Sequence, residues 1–125
     1  MAKVLLVEDD EILHNMYKKK FEYEGFTVAS AFDGSDGVKM AASDKPDVIL
    51  MDIIMPKMDG FVAVKKIKKN SAISNIPIVM LTNLGQEEDV NKGRELGADD
   101  YFIKANHTPA EIVKKIRDLL ALRKK

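Results

Sequence analysis

Asp52 stands directly after the apolar run Val48-Ile49-Leu50-Met51 and before the turn-rich string Met55-Pro56-Lys57-Met58-Asp59-Gly60. A carboxylate at the end of a buried strand is held rigidly yet faces a loop, which suits a reacting or metal-binding group. Three other strand-like runs also end in polar residues. Val4-Leu5-Leu6-Val7 leads into Glu8-Asp9-Asp10, Ile78-Val79-Met80-Leu81 into Thr82-Asn83, and Tyr101-Phe102-Ile103 into Lys104. If the four strands are parallel neighbours, these groups converge at one sheet edge, where open α/β sheets bind ligands. Several carboxylates cannot share a small site fully ionised unless a cation joins them. Mg²⁺ is the natural partner, because it takes oxygen ligands, keeps several waters and needs only one or two carboxylates plus a phosphate oxygen. A lysine ammonium and a threonine hydroxyl aimed at the same spot complement a phosphoryl group, whose transfer needs positioning and charge neutralisation. Asp52 has no acid beside it in sequence and is free to be the nucleophile, and carboxylates do form aspartyl-phosphate intermediates.

The elements that must hold these residues are apolar runs of four to six residues alternating with longer stretches of helical period. That alternation predicts βα units and a parallel sheet covered on both faces. Strands are expected near Lys3–Val7, Thr27–Ala31, Asp47–Met51, Ile76–Leu81 and Asp100–Ile103. Pro77 is tolerable near a strand start. The first helix, about Asp10–Tyr23, is expected to place Ile12, Met16 and Tyr23 with the Lys19 and Lys20 stems near one stripe, and to stop at a left-handed Gly25. Asp33 should cap a second helix reaching about Ser43. A third, from Asp59-Gly60, would turn Phe61, Val64 and Ile67 inward and Lys65, Lys66, Lys68 and Lys69 outward. A fourth, about Gln86–Leu96, carries Gly93 in its interior at a cost of about 1 kcal/mol relative to alanine, so it should be the most mobile of the five. The last opens on Thr108-Pro109-Ala110-Glu111, a capping box with proline at the first helical position, and continues with the stripe Ile112, Val113, Ile116, Leu119 and Leu120.

A chain of 125 residues forms one domain and buries roughly two-thirds of its unfolded surface without covalent staples. With no cysteine, disulfides and thiolate metal sites are excluded, which fits a reducing cytosol. The first residues lack the apolar length of a signal peptide, and no run approaches the roughly 20 apolar residues that span a bilayer. The expectation is a cytoplasmic protein without membrane insertion. Net charge is zero, so there is no global pull toward nucleic acid. Residues 1–60 hold 12 acids and 7 bases against 8 and 13 in residues 61–125, yet no linker separates two domains of opposite sign. The Lys65–Lys69 run reads as a solvated helix face, and the terminal Arg123-Lys124-Lys125 as a complement to the helix dipole. The methionines read as core filler, and His14 and His107 have no partner at metal-ligand spacing. Taken singly, Asp52 is more often a turn-former, Lys104 a solvated charge and Thr82 a strand-end residue. Their joint placement is what argues for a site.

In that combination the chain resembles the receiver domain of bacterial two-component response regulators over essentially its whole length. The resemblance rests on the acids after Val7, the string Asp52 to Gly60, Thr82, and Gly97-Ala98-Asp99-Asp100-Tyr101 leading to Lys104. It implies a flavodoxin-like, doubly wound sheet of five parallel strands in the order 2-1-3-4-5 with five helices; at 125 residues the expectation is a single receiver domain over residues 1–125 without an output domain. It also implies that Asp52 accepts a phosphoryl group from a histidine kinase or phosphotransfer protein in a Mg²⁺-dependent reaction. By motif position Asp9 is the direct metal ligand and Glu8 acts through water, with Asp52 and the Ile54 backbone carbonyl completing the protein ligands. Asp10 is left to cap the first helix. Lys104 would bind the phosphoryl oxygens, Thr82 would move toward the new charge, and Tyr101 would change rotamer with it. The face of helix 4, strand 5 and helix 5 would carry the change to a downstream protein. Such a chain catalyses its own phosphorylation and dephosphorylation but has no separate substrate, so it is not an ordinary enzyme.

Two departures from the family pattern bear on expectation. Ala105 follows Lys104 where receivers commonly have a cis proline; a cis bond without proline would cost about 2.5–4 kcal/mol, so a trans bond and an altered loop from Ala105 to His107 are expected. Ile54 and Leu84 are apolar at positions that in this family flank the path of attacking water, which favours a long-lived aspartyl phosphate. Asn83, larger than the usual small residue, would narrow access for the donor. Two other readings compete. One is a receiver-like adaptor that works without phosphorylation. The other is a phosphatase of the haloacid dehalogenase type, which needs a second aspartate where Ile54 stands. Flavin binding is disfavoured, since the acidic loop after strand 1 would repel the cofactor phosphate.

Overall fold

The computed structural model describes residues 2–123. Five parallel strands, β1 (Lys3–Val7), β2 (Thr27–Ala31), β3 (Val48–Met51), β4 (Ile78–Thr82) and β5 (Asp100–Ile103), form one sheet in the order β2-β1-β3-β4-β5. The helices between and after them are α1 (Glu11–Tyr23), α2 (Gly34–Asp44), α3 (Gly60–Lys69), α4 (Glu87–Glu95) and α5 (Pro109–Arg123). β3 and β4 are buried along their whole length, as central strands of a covered parallel sheet must be. Each strand alternates its side chains between two cores. Leu5, Val7, Ile49, Met51, Ile78 and Met80 face α2, α3 and α4. On the other side, Val4, Leu6, Val48, Leu50, Val79 and Leu81 face α1 and α5 through Tyr17, Phe21, Ile112 and Ile116.

The helix starts follow the sequence. Asp10 Oδ1 accepts the Ile12 and Leu13 amides at 3.0 and 3.1 Å, so the third acid of the row does cap α1. Asp33 accepts the Asp36 amide at 2.8 Å, and Asp59 the Val62 amide at 2.9 Å. At α5 the capping box is reciprocal: Glu111 accepts the Thr108 amide at 2.8 Å and Thr108 accepts the Glu111 amide at 3.2 Å. Gly25 is left-handed at φ 97°, where a side chain would be strained.

Three expectations are corrected. α1 does not bury Ile12, Met16 and Tyr23, which are 82, 41 and 83 % exposed; it buries His14, Tyr17 and Phe21 instead. At about 100° per residue the two sets lie on nearly opposite faces, so the helix is apolar on both sides and the sheet takes the aromatic one. Lys68 does not point outward. Its stem lies over Gly97 and its ammonium donates to the carbonyls of Ser74 and Ile76 at 3.1 and 3.4 Å. β4 begins at Ile78, two residues later than expected, because Ile76 closes a turn onto the Ile73 carbonyl. Of the terminal Arg123-Lys124-Lys125, only Arg123 lies within the described residues. It is tied down, donating to the Asn75 carbonyl at 2.6 Å and pairing with Asp99 at 3.6 Å.

Candidate functional site

The sheet register assembles the site. Val7 pairs with Met51 across β1 and β3, so Glu8 and Asp52 leave adjacent strands side by side, and the Asp52 amide donates to the Val7 carbonyl at 3.0 Å. By the two-residue period Glu8 follows Leu6, Asp52 follows Leu50 and Lys104 follows Phe102, all on the α1/α5 side of the sheet. The Lys104 ammonium accordingly reaches both acids, bonding Glu8 Oε1 and lying 2.9 Å from Asp52 Oδ2. Asp52 Oδ1 accepts the Ile53 amide at 2.7 Å, and Glu8 Oε2 accepts the Asp10 amide at 3.1 Å. Glu8 and Asp52 are buried, while Asp9 stays exposed at the rim. One carboxylate oxygen from each of Glu8, Asp9 and Asp52 can be chosen so that all three lie within 4.8 Å of one another.

Three carboxylates against one ammonium leave this pocket short of positive charge. Burial pushes the Glu8 carboxyl up to about 7 despite its bonds to Lys104 and the Asp10 amide, and the Asp52 charge adds to the rise. Burial also works against the Lys104 charge, but hydrogen bonds to Glu8 and Asp52 more than compensate and hold the ammonium above its usual range. An all-oxygen donor set, partly open to solvent and short of positive charge, fits a hard divalent cation that retains some of its water. Ile54 lies on the β3–α3 loop with its side chain 66 % exposed; the neighbouring Ile53 carbonyl is already taken by the Gly60 amide at 2.8 Å.

Thr82 and Tyr101 lie on the other side of the sheet, toward α4. Thr82 is buried at the end of β4, and its Oγ1 accepts the Leu84 amide at 3.4 Å. The Tyr101 hydroxyl donates to the Leu84 carbonyl at 2.6 Å, fastening the β4–α4 loop to β5. Burial, with the charges of Asp89 and Asp52, pushes that hydroxyl up to about 12, so it stays a donor. Gly93 of α4 lies under the Tyr101 ring, where a Cβ would come within 3.1 Å of Cδ2. The bond from Lys104 to Ala105 is trans, and Lys104–Asn106 forms a single 3-10 turn before His107, whose ring meets Phe102 edge-on at 5.3 Å.

The description "Response regulator receiver domain" matches residues 4–117. The chain belongs to that family. Relatives of the receiver include the DNA-binding dual master transcriptional regulator RpaA of a Synechocystis strain, 34 % identical over 96 % of this chain and 49 % of that protein. Protein PilH of Pseudomonas aeruginosa is 42 % identical over 83 % of this chain and 86 % of its own length. The chain thus spans about half the length of several curated relatives that it matches. Among solved structures, the receiver domain of Francisella response regulator 1452 superposes with a TM-score of 0.88 at 32 % identity, covering all of both chains. Vibrio cholerae CheY4 superposes at 0.87 with 32 % identity, over 94 % of this chain and 98 % of that one.

Sequence spacing assigns neither His14 nor Tyr17 to the site, yet both lie beside the acids. His14 is fully buried with Nδ1 2.9 Å from the Glu8 carbonyl oxygen, and burial holds its ring below the usual histidine range. Tyr17, buried one helical turn further on, has its hydroxyl pushed up by burial, with Lys104, Glu8 and Asp52 all near enough to act on it. The signal was present in the 14, 17, 21 spacing. It was masked because a histidine scores as polar and the Ile12 stripe as more apolar.

Proposed function

We propose that this receiver is a phosphoacceptor switch in which Asp52 takes a phosphoryl group from a phosphohistidine of a histidine kinase or phosphotransfer protein. The observation that carries the reading is the Lys104 ammonium held between Glu8 and Asp52 at the carboxyl ends of β1, β3 and β5. An Asp52 carboxylate oxygen bonds to phosphorus as the phosphorus–nitrogen bond to the donor imidazole breaks, and the imidazole nitrogen keeps the electron pair. Glu8, Asp9 and Asp52, with the Ile54 carbonyl, would hold Mg²⁺, which supplies charge neutralisation and orientation of the phosphoryl oxygens. Lys104 balances the charge that remains after transfer, and Thr82 offers its hydroxyl from the β4 end. The exposed Ile12 and Met16 on α1 sit on the turns that follow the acids and give a donor protein an apolar face to rest on.

Output follows from the new charge. Drawing Thr82 toward it releases the Leu84 amide, and the Tyr101 bond to Leu84 ties that loop to β5, so the face of α4, β5 and α5 changes for a downstream protein partner. Nothing in this cycle needs a separate substrate, direct nucleic-acid contact or insertion in a membrane, and a cytoplasmic setting suits it. No helix among the described residues is long and apolar enough to cross a membrane. Ile54, apolar and exposed at the rim, offers attacking water no hydrogen bond, and this favours a long-lived aspartyl phosphate. Leu84 contributes less, since it packs inward against the α4-side core.

Acetyl phosphate with Mg²⁺ should add one phosphate to the chain by mass, and Asp52→Asn or removal of Mg²⁺ should abolish the gain. An unlabelled wild-type chain that still binds its partner would instead establish the adaptor reading. Loss of the label within seconds after removal of acetyl phosphate would dispose of the shielding role given to Ile54.

A further inference from the structure

His14 is the most deeply enclosed polar side chain that the proposed reaction leaves unused. It is fully buried on α1, its ring stacked on Phe32 with centroids 4.2 Å apart and planes 21° from parallel. Nδ1 lies 2.9 Å from the Glu8 carbonyl oxygen. A carbonyl can only accept, so Nδ1 carries the proton and Nε2 is left with a lone pair. Among the described residues that lone pair finds no hydrogen-bond partner. Burying an unmet acceptor is unfavourable, and an apolar ring of the same shape would avoid it. What this histidine offers in exchange is the bond from Nδ1.

That bond falls on the last free handle of Glu8. The Glu8 amide donates to the Ala31 carbonyl at 3.1 Å, Oε2 accepts the Asp10 amide, and Oε1 is held by Lys104. Its carbonyl lies beyond the last paired residue of β1, Val7, and belongs to the planar peptide that joins Glu8 to Asp9. We infer that His14 is a positioning residue, which fixes the plane of the Glu8–Asp9 peptide and so aims both carboxylates at one cation. The helix core thereby sets the site's geometry through the main chain, while the ring itself touches neither ion nor phosphoryl group. This inference rests on the phosphoacceptor reading and deepens it.

Two substitutions separate aim from packing. His14→Asn places its amide nitrogen where Nδ1 lies but leaves the ring space empty. His14→Phe keeps the ring and its stack on Phe32 but has no donor. The Mg²⁺ concentration for half-saturation, followed by the amide signals of Asp10 and Ile53, should rise about tenfold or more in the Phe variant and stay within about threefold in the Asn variant. Thermal stability should run the other way, with Phe above Asn. In the metal-free protein the Glu8 carbonyl carbon signal should move in the Phe variant and hold in the Asn variant. Unchanged Mg²⁺ affinity in the Phe variant, or affinities that follow stability, would overturn the role of His14 while leaving the phosphoacceptor reading intact. A wild-type chain that neither shifts with Mg²⁺ nor accepts phosphate would overturn both.

Discussion

Lys104 supplies the positive charge that relieves the crowding of Glu8 and Asp52. Its side chain is 10 % exposed, and the two carboxylates it bonds are each more than nine-tenths buried as side chains. Removing one member of a buried ion cluster typically costs about 3–5 kcal/mol, because the remaining charges lose their partner. Lys104→Ala should therefore lower stability by about 3 kcal/mol in a metal chelator, measured by urea unfolding. Millimolar Mg²⁺ should recover more stability in the variant than in the wild type, since the ion replaces the missing charge. A variant as stable as the wild type in chelator would show that Glu8 and Asp52 do not crowd each other. The acids and Lys104 were legible in the sequence because each follows a short apolar run, and a run of that length fixes both where the strand ends and which side the next residue takes. His14 and Tyr17 were not. A helix of 3.6-residue period allows several stripes, and only the docking of α1 on the sheet selects among them.

At the scale of elements, α4 and α5 are built on opposite principles. α4 has no side-chain cap at Gln86, and among its described residues only Gly93 is buried. α5 has a reciprocal cap and buries Ile112, Val113 and Ile116. The Gly93 weakness was readable from the sequence, but its reason was not, since it lies in the approach of the Tyr101 ring from another strand. Gly93→Ala would raise helix propensity by about 1 kcal/mol in isolation. Here its Cβ would stand 3.1 and 3.3 Å from two carbons of a buried, hydrogen-bonded ring, so the expected result is no gain in melting temperature and a loosened Tyr101–Leu84 bond. A clear rise in melting temperature with Tyr101 unmoved would refute the packing role. At α5, Thr108→Ala should cost about 1 kcal/mol. Glu111 has its carboxyl held below the ordinary 4.5 by the Thr108 amide and hydroxyl. A depressed carboxyl adds stability above the unfolded value and loses it as pH falls from about 4.5 through the lower folded value. The stability difference between wild type and Glu111→Gln should accordingly be full at pH 7 and shrink below about pH 4.5, as thermal melts across that range would reveal.

Across the whole molecule, the sheet divides the labour. Glu8, Asp52 and Lys104 hang on the α1/α5 side, Thr82 and Tyr101 on the side of α2, α3 and α4, and the two apolar cores do not merge through the strands. In the proposed switch, a charge placed on Asp52 would have to be felt across the sheet at the end of β4, where Thr82 and the Tyr101 hydroxyl hold the Leu84 main chain. The α4 side can yield, because α4 is uncapped and little buried, whereas Ile112, Val113, Ile116, Tyr17 and Phe21 bind α1 and α5 into the opposite core. Hydrogen exchange on the Mg²⁺-bound chain should already be fastest, among the five helices, in α4. After labelling with acetyl phosphate, the largest changes should fall within residues 83–103, and amides around Tyr17 on α1 should keep their rates. Equal changes in α1 would mean that the charge reorganises the face on which it sits, and a switch that runs through Thr82 would have to be abandoned.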